Sequence, residues 1–259
     1  MVLKTLKKHN LLTSVGTAIF LVFFASCSAT ATVQAKKDCS TDIQIEADIG
    51  KTVYDTIKTI TAGMNQIANT GASTANSQEI PVFSTKDTEQ ALSAGGITNV
   101  SVTTPSATSL SAKGTLPAPA DQKTVLDGKG IKLANFVTCT KNSLTVILSP
   151  ETIQQTTAAL TEESRSYLDL LMAPVFTGEE MSASEYEDLI AAVYGTEMEK
   201  ELASSLVKIT LVTPAGCTLK KSAIADGKNV KTSGDRAVFT IPLTEFLTLQ
   251  TSQTFSITW

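Results

Sequence analysis

The sequence predicts an α+β fold, an antiparallel sheet with a block of helices packed on one face. Three observations predict it. Asp42 to Ile49 alternates apolar and polar residues, the pattern of a half-buried strand. The chain from Pro150 to about Leu206 reads as helical in three or four pieces. Strand patterns then return at Val207, Ile209 and Leu211, at Val238 to Ile241, and at Phe255, Ile257 and Trp259. Strands and helices are thus segregated along the chain, which favours α+β over a doubly wound parallel sheet.

After the first strand, Gly50 breaks the pattern. Thr52 and Asp55 have the spacing of a capping box, and Val53, Ile57, Ile60, Met64 and Ile67 recur at helical intervals, ending near Gly71. Residues 70–85 are polar and rich in Ser and Thr, a loop. A short helix is expected from Asp87 to Ala94, stopped by Gly95 and Gly96. Ile97, Val100 and Val102 suggest a strand, with Leu110 to Leu116 as its partner, and Pro117-Ala-Pro119 marks a turn. Gly130 to Thr140 and Leu144 to Leu148 read as two strands joined by a short turn.

Ser149-Pro150 is a helix start, a hydroxyl cap followed by proline at a position that needs no N–H. The first helical piece runs to Leu160, and a second, Glu162 to Met172, stops at Pro174. Ser182-Ala-Ser-Glu185 is a capping box opening a helix with Tyr186, Leu189, Ile190 and Val193 on one side, closed by Gly195. Thr196 to Ser205 forms a last, acidic helix, and a short one is expected over Leu243 to Leu249.

The N-terminus is of another kind. Lys4, Lys7 and Lys8 precede an apolar run from Val15 to Phe24, shorter than the about 20 residues of a stable membrane span. Residues 1–26 read as an export signal, to be excluded from the fold. Ala25-Ser26-Cys27 resembles a bacterial lipobox, with Phe24 where leucine is commonest. That resemblance implies a diacylglyceryl group on Cys27 and cleavage just before it. The rival expectation is ordinary cleavage after Ala29-Thr30-Ala31 or Val33-Gln34-Ala35. Residues 27–37 are expected to be the lipidated N-terminus and a small, polar tether, with Lys36 and Lys37 either solvated or touching anionic headgroups. A single α+β domain is expected over 38–259.

Composition narrows the function. Removing residues 1–26 takes three lysines and no acids, leaving 18 basic against 25 acidic residues, a net charge of −7. With Arg165 and Arg236 as its only arginines, the chain has no footprint for nucleic acid. The one histidine, His9, lies in the signal, so the expected mature chain has no Ser-His-acid or Cys-His nucleophile system and lacks the commonest transition-metal ligand. The single tryptophan is Trp259, a weak argument against sugar-stacking platforms. With Cys27 lipidated, Cys39, Cys139 and Cys217 remain. They fit no zinc spacing, and either one disulfide with a leftover thiol or buried free thiols would suit them.

Other candidate chemistry has a simpler reading each time. Glu179, Glu180, Glu185, Glu187, Asp188, Glu197, Glu199 and Glu201 could supply an acid–base pair for a glycosidic bond, yet a solvated helix surface explains them. Asp226-Gly-Lys-Asn229 lacks the spacing and closing glutamate of a calcium loop and reads as a hairpin turn. Ser222 beside Lys221 could form a Ser-Lys dyad but has little weight in so Ser- and Lys-rich a chain. The aromatic ending Phe255 to Trp259 resembles that of outer-membrane barrels, and a strand closing the domain's own sheet accounts for it better.

Several segments together give a wider resemblance. They are Cys27 with its lipobox, Ile43 to Thr52, Leu170 to Gly178, Ser184 to Ile190, Val193-Tyr-Gly195, Phe239 to Leu243, and Leu247-Thr-Leu249 through to Trp259. In these the chain is similar to cell-envelope lipoproteins of spirochaetes, of a Treponema-like kind. The resemblance implies lipidation and an envelope location, and it carries over no catalytic or binding residue. The expectation is therefore a non-catalytic binding or scaffold lipoprotein, held on a membrane through Cys27 and meeting an envelope protein partner, with no cofactor or metal. The alternatives are a carrier of a lipid or other hydrophobic ligand, and a histidine-independent carboxylate hydrolase.

Overall fold

The computed structural model describes residues 28–68, 82–119, 136–158, 171–224 and 229–259. Cys27 and the expected export signal lie outside the described residues, as do most of the loop expected over 70–85, most of the helix expected over Glu162 to Met172, and Asp226 to Lys228. Among the described residues there are eleven strands: β1 Ser28–Ala35, β2 Thr41–Asp48, β3 Thr98–Thr103, β4 Ser109–Leu116, β5 Val137–Thr140, β6 Ser143–Leu148, β7 Leu206–Val212, β8 Lys221–Ile224, β9 Val230–Ser233, β10 Arg236–Pro242 and β11 Gln253–Thr258. Seven helices accompany them: α1 Lys51–Ala68, α2 Thr85–Ala94, α3 Pro150–Ala158, α4 Pro174–Thr177, α5 Ala183–Tyr194, α6 Thr196–Ala203 and α7 Leu243–Leu247.

The fold is α+β, with two sheets. The larger has seven strands in the order β3-β4-β2-β1-β7-β10-β9, and the smaller has four in the order β5-β6-β11-β8. All pairings are antiparallel except β1 with β7, which makes the larger sheet mixed. That parallel pair exists because β1 is there at all. The tether expected over 28–37 is corrected: Ser28–Ala35 is the middle strand of the larger sheet, paired along its length with β2 on one side and β7 on the other. Ala29, Ala31, Val33 and Ala35 are buried and alternate with half-buried Thr30, Thr32 and Gln34. The period of two is present, but it is carried by alanine and threonine, too weakly apolar to read as a core strand.

Cross-strand rows follow from the register. Ala31 lies beside Ile45 and Ile209, and these lie beside Ala112 and Phe239 respectively. All five are buried, while the opposite face carries exposed Glu46, Lys113 and Lys208. One core cluster joins this buried face to Val53 and Ile57 of α1, Tyr186 and Ile190 of α5, Met198 and Leu202 of α6, and Leu144, Val146, Phe255 and Ile257 of the smaller sheet. On β4, Gly114 makes room for Ile97, which directly precedes β3: a Cβ there would stand 2.1 Å from Ile97 Cγ2.

Local chemistry sets several boundaries. Ser84 caps α2, its hydroxyl accepting from the Asp87 N–H, so the helix begins two residues before Asp87. Ser149 Oγ accepts from the Thr152 N–H at the start of α3. Pro174 does not end the helical block but opens the single-turn α4, fitting its fixed φ at N1. The Ser182–Glu185 capping box is present in both directions. On α5, Tyr186 and Ile190 are buried, Leu189 is half-buried and Val193 is 52% exposed, so the apolar side is narrower than its spacing suggests. Most of the hairpin expected at Asp226 to Asn229 lies outside the described residues, and the strands on either side of it, β8 and β9, belong to different sheets.

Candidate functional site

Among the described residues, the β1–β2 connection brings two of the candidate cysteines, Cys39 and Cys139, to one cavity. The Lys36 N–H donates to the Ser40 carbonyl at 2.8 Å, and the Cys39 N–H donates to the Lys36 carbonyl at 3.0 Å. Between them the chain turns over Lys37 and Asp38, and Cys39 has φ of 64°. This is the pattern of a short hairpin turn closed by a left-handed residue, a position at which glycine is the default. A side chain there costs about 1–2 kcal/mol. The Asp38 carboxylate accepts from the Ser40 hydroxyl at 2.7 Å and from its N–H at 3.0 Å. These bonds hold the Asp38 carboxyl below the usual aspartate range and fix the turn.

From this turn, half-buried Cys39 reaches a cavity of about 150 Å³ lined by Cys39, Thr41, Leu116, Pro119, Val137, Thr138 and Cys139. Cys139 enters from the opposite wall. It lies on β5 of the smaller sheet and is buried, with its thiol 3.6 Å from the Thr140 carbonyl oxygen. Burial pushes the Cys139 thiol pKa up, and a hydrogen bond with the Cys39 sulfur pushes it further. Thr41, on β2 of the larger sheet, also lines the cavity, and its Oγ1 is buried without a hydrogen-bond partner among the described residues. The cavity holds about half of the roughly 300 Å³ at which ordinary ligand pockets begin, so it has no room for an acyl lipid.

Cys217 is elsewhere. It sits in the turn after β7, where its N–H donates to the Pro214 carbonyl and its carbonyl accepts from the Thr213 hydroxyl at 2.9 Å. Among the described residues, no group of three or more His, Cys, Asp and Glu side chains gathers as metal ligands.

The acidic stretch does not converge. Glu185 is committed to its cap, accepting from the Ser182 N–H at 2.9 Å and the Ser182 hydroxyl at 2.7 Å, and these bonds hold its carboxyl below the usual range. Glu201 on α6 reaches across to α1, its two oxygens accepting from the N–H groups of Thr52 and Val53 at 3.0 Å each. This remote carboxylate takes the place of the Thr52–Asp55 capping box, and Asp55 pairs instead with Lys51. Glu197 lies 3.7 Å from Lys200 on an exposed face. Ser222 and Lys221 lie on β8, at an edge of the smaller sheet. The final strand β11 is internal to that sheet, between β6 and β8.

Sequence reasoning singled out Cys39 and Cys139 only as members of a set of three thiols. It missed Thr41, whose place opposite Leu116 is a matter of register. No protein-family model matches this chain, and no curated protein matches it in sequence.

Proposed function

We propose that this protein is a bacterial envelope lipoprotein, anchored by a diacylglyceryl group on Cys27 and acting as a non-catalytic binding or scaffold protein. One observation carries the reading. The residues that directly follow Cys27, Ser28–Ala35, form strand β1 in the middle of the larger sheet. Ordinary signal cleavage after Ala31 or Ala35 would remove half or all of β1 and strip hydrogen bonds from both β2 and β7. Cleavage before Cys27 leaves β1 whole. The intact sheet thus supports cleavage before Cys27.

The lipid then holds the domain with almost no linker. Several acyl chains, each contributing about 0.8 kcal/mol per buried methylene, make a stable anchor without a spanning helix. Among the described residues no helix is long and apolar enough to cross a membrane. The sheet end that carries Ser28, Asp48 and Leu206 faces the bilayer. Lys36 stands at the other end of β1, about 25 Å away at roughly 3.3 Å per residue, and pairs with Asp42 at 2.6 Å. Lys36 and Lys37 therefore belong to the distal side and do not meet headgroups.

Intact mass of the protein extracted from membranes tests this. A chain beginning at Cys27 with diacylglycerol and acyl mass, absent in Cys27→Ser, is the expected result. An unmodified chain beginning at Thr32 or Lys36 would refute the anchor and the role assigned to β1 together.

A further inference from the structure

We propose that Cys39 and Cys139 are a disulfide-forming pair that links the larger sheet to the smaller one across their shared cavity, leaving Cys217 as the free thiol. Three observations support the pairing. Both side chains line the same small cavity, from opposite sheets. Cys39 occupies a left-handed turn position that favours glycine, and a residue kept at a strained backbone position points to a role for its side chain. Cys217 does not line the cavity. The inference rests on the export proposed above, which delivers the chain to an oxidising compartment.

The chemistry is thiol–disulfide exchange with an external disulfide, either a disulfide oxidoreductase or a low-molecular-weight disulfide. Cys39 is half-buried while Cys139 is buried with its thiol proton held tightly, so Cys39 is the sulfur an oxidant reaches. Its thiolate attacks the oxidant's S–S bond, forming a mixed disulfide and releasing one thiol. Cys139 then loses its proton and attacks the Cys39 sulfur, closing the protein disulfide and releasing the second thiol. Two protons and two electrons leave the protein and reduce one oxidant disulfide to two thiols.

Two arms test the pair separately from export. In the first, protein isolated from cells expressing the full chain is alkylated without reduction and mapped by mass spectrometry. The expected result is a Cys39–Cys139 linked peptide, two hydrogens lighter than the free thiols, with Cys217 alkylated. In the second, the same protein is reduced, then equilibrated with oxidised glutathione, which is independent of cellular location. The link should re-form, also in Cys217→Ser, and reduction should lower Tm by about 5 °C or more. Cys39→Gly suits the turn and keeps a folded control, and in it the Tm gap should vanish. A link formed only in the second arm supports the pair and counts against export. A link through Cys217, no link in either arm, or a gap that persists in Cys39→Gly overturns the pair.

Discussion

The rings of Phe239 and Phe255 meet edge to face, their centroids 5.4 Å apart and their planes at 65°, and both side chains are fully buried. Phe239 belongs to β10 of the larger sheet and Phe255 to β11 of the smaller. The contact therefore joins the two sheets through their side chains.

Removing either ring opens a cavity at that junction. Phe255→Ala should lose about 3–5 kcal/mol of unfolding free energy in urea denaturation, the range for deleting a buried aromatic. A double-mutant cycle with Phe239→Leu and Phe255→Leu should return a coupling of about 1 kcal/mol. Additive single effects would mean that the rings are neighbours without a specific interaction.

The sheet boundary at the N-terminus gives a sharper test. A chain starting at Ser28 should fold cooperatively, whereas one starting at Lys36 lacks β1 and leaves β2 and β7 with unpaired edges in the middle of the sheet. An unpaired buried backbone group costs about as much as a lost hydrogen bond, and a full strand carries several. The shorter chain should show no cooperative thermal transition. If it melts like the longer one, β1 is dispensable.

Why some of this was legible and some was not follows from what carries each signal. Strands β2, β7, β10 and β11 show alternation in Ile, Val, Leu and Phe, and the Ser182–Glu185 box is a local motif of four residues. β1 has the same alternation in alanine and threonine, beside a stretch that reads as an export signal, where small polar residues suggest a tether. β8 and β9 are four residues each, too short for an alternation to stand out. Glu201 caps α1 from 149 positions away in sequence, so the local candidate Asp55 was the natural choice. The thiol pairing is a matter of how two sheets face each other, which no spacing of Cys39, Cys139 and Cys217 records.

Remote capping has its own test. Glu201 satisfies two N–H groups at the start of α1, and Glu201→Ala leaves both without it. The loss should be about 1–2 kcal/mol, as for other lost caps. Asp55→Ala, which removes only an exposed pair with Lys51, should change stability by less than about 0.5 kcal/mol. Equal effects would return the capping role to Asp55.

Close packing around β4 makes a further prediction. Gly114 pairs with Ile43 in the ladder, and Ile97 lies so near its Cα that an added methyl would overlap Ile97 Cγ2. Gly114→Ala should therefore destabilise by about 1–3 kcal/mol even though alanine suits a strand better than glycine does. Ile97→Ala removes Cγ2 itself, so Gly114→Ala should cost less in an Ile97→Ala background than in the native chain. Stabilisation by Gly114→Ala alone would mean that Ile97 moves aside freely.

The α5 cap ties stability to pH. In the folded protein the Ser182 N–H and hydroxyl bond to the Glu185 carboxylate and lower its pKa below the ordinary glutamate range. A carboxyl whose folded pKa is depressed contributes stability that is fully present above its unfolded pKa and is lost as pH falls through the folded one. Glu185→Gln keeps the shape and an acceptor oxygen but has no such proton to gain. The Tm of the native chain should exceed that of Glu185→Gln near neutral pH, and the gap should narrow as the solution is acidified below about 4.5. Ser182→Ala removes the other half of the box and should cost about 1 kcal/mol near neutral pH. A Tm gap between native chain and Glu185→Gln that stays constant through acid would show that the box contributes through geometry alone and not through the charge on Glu185.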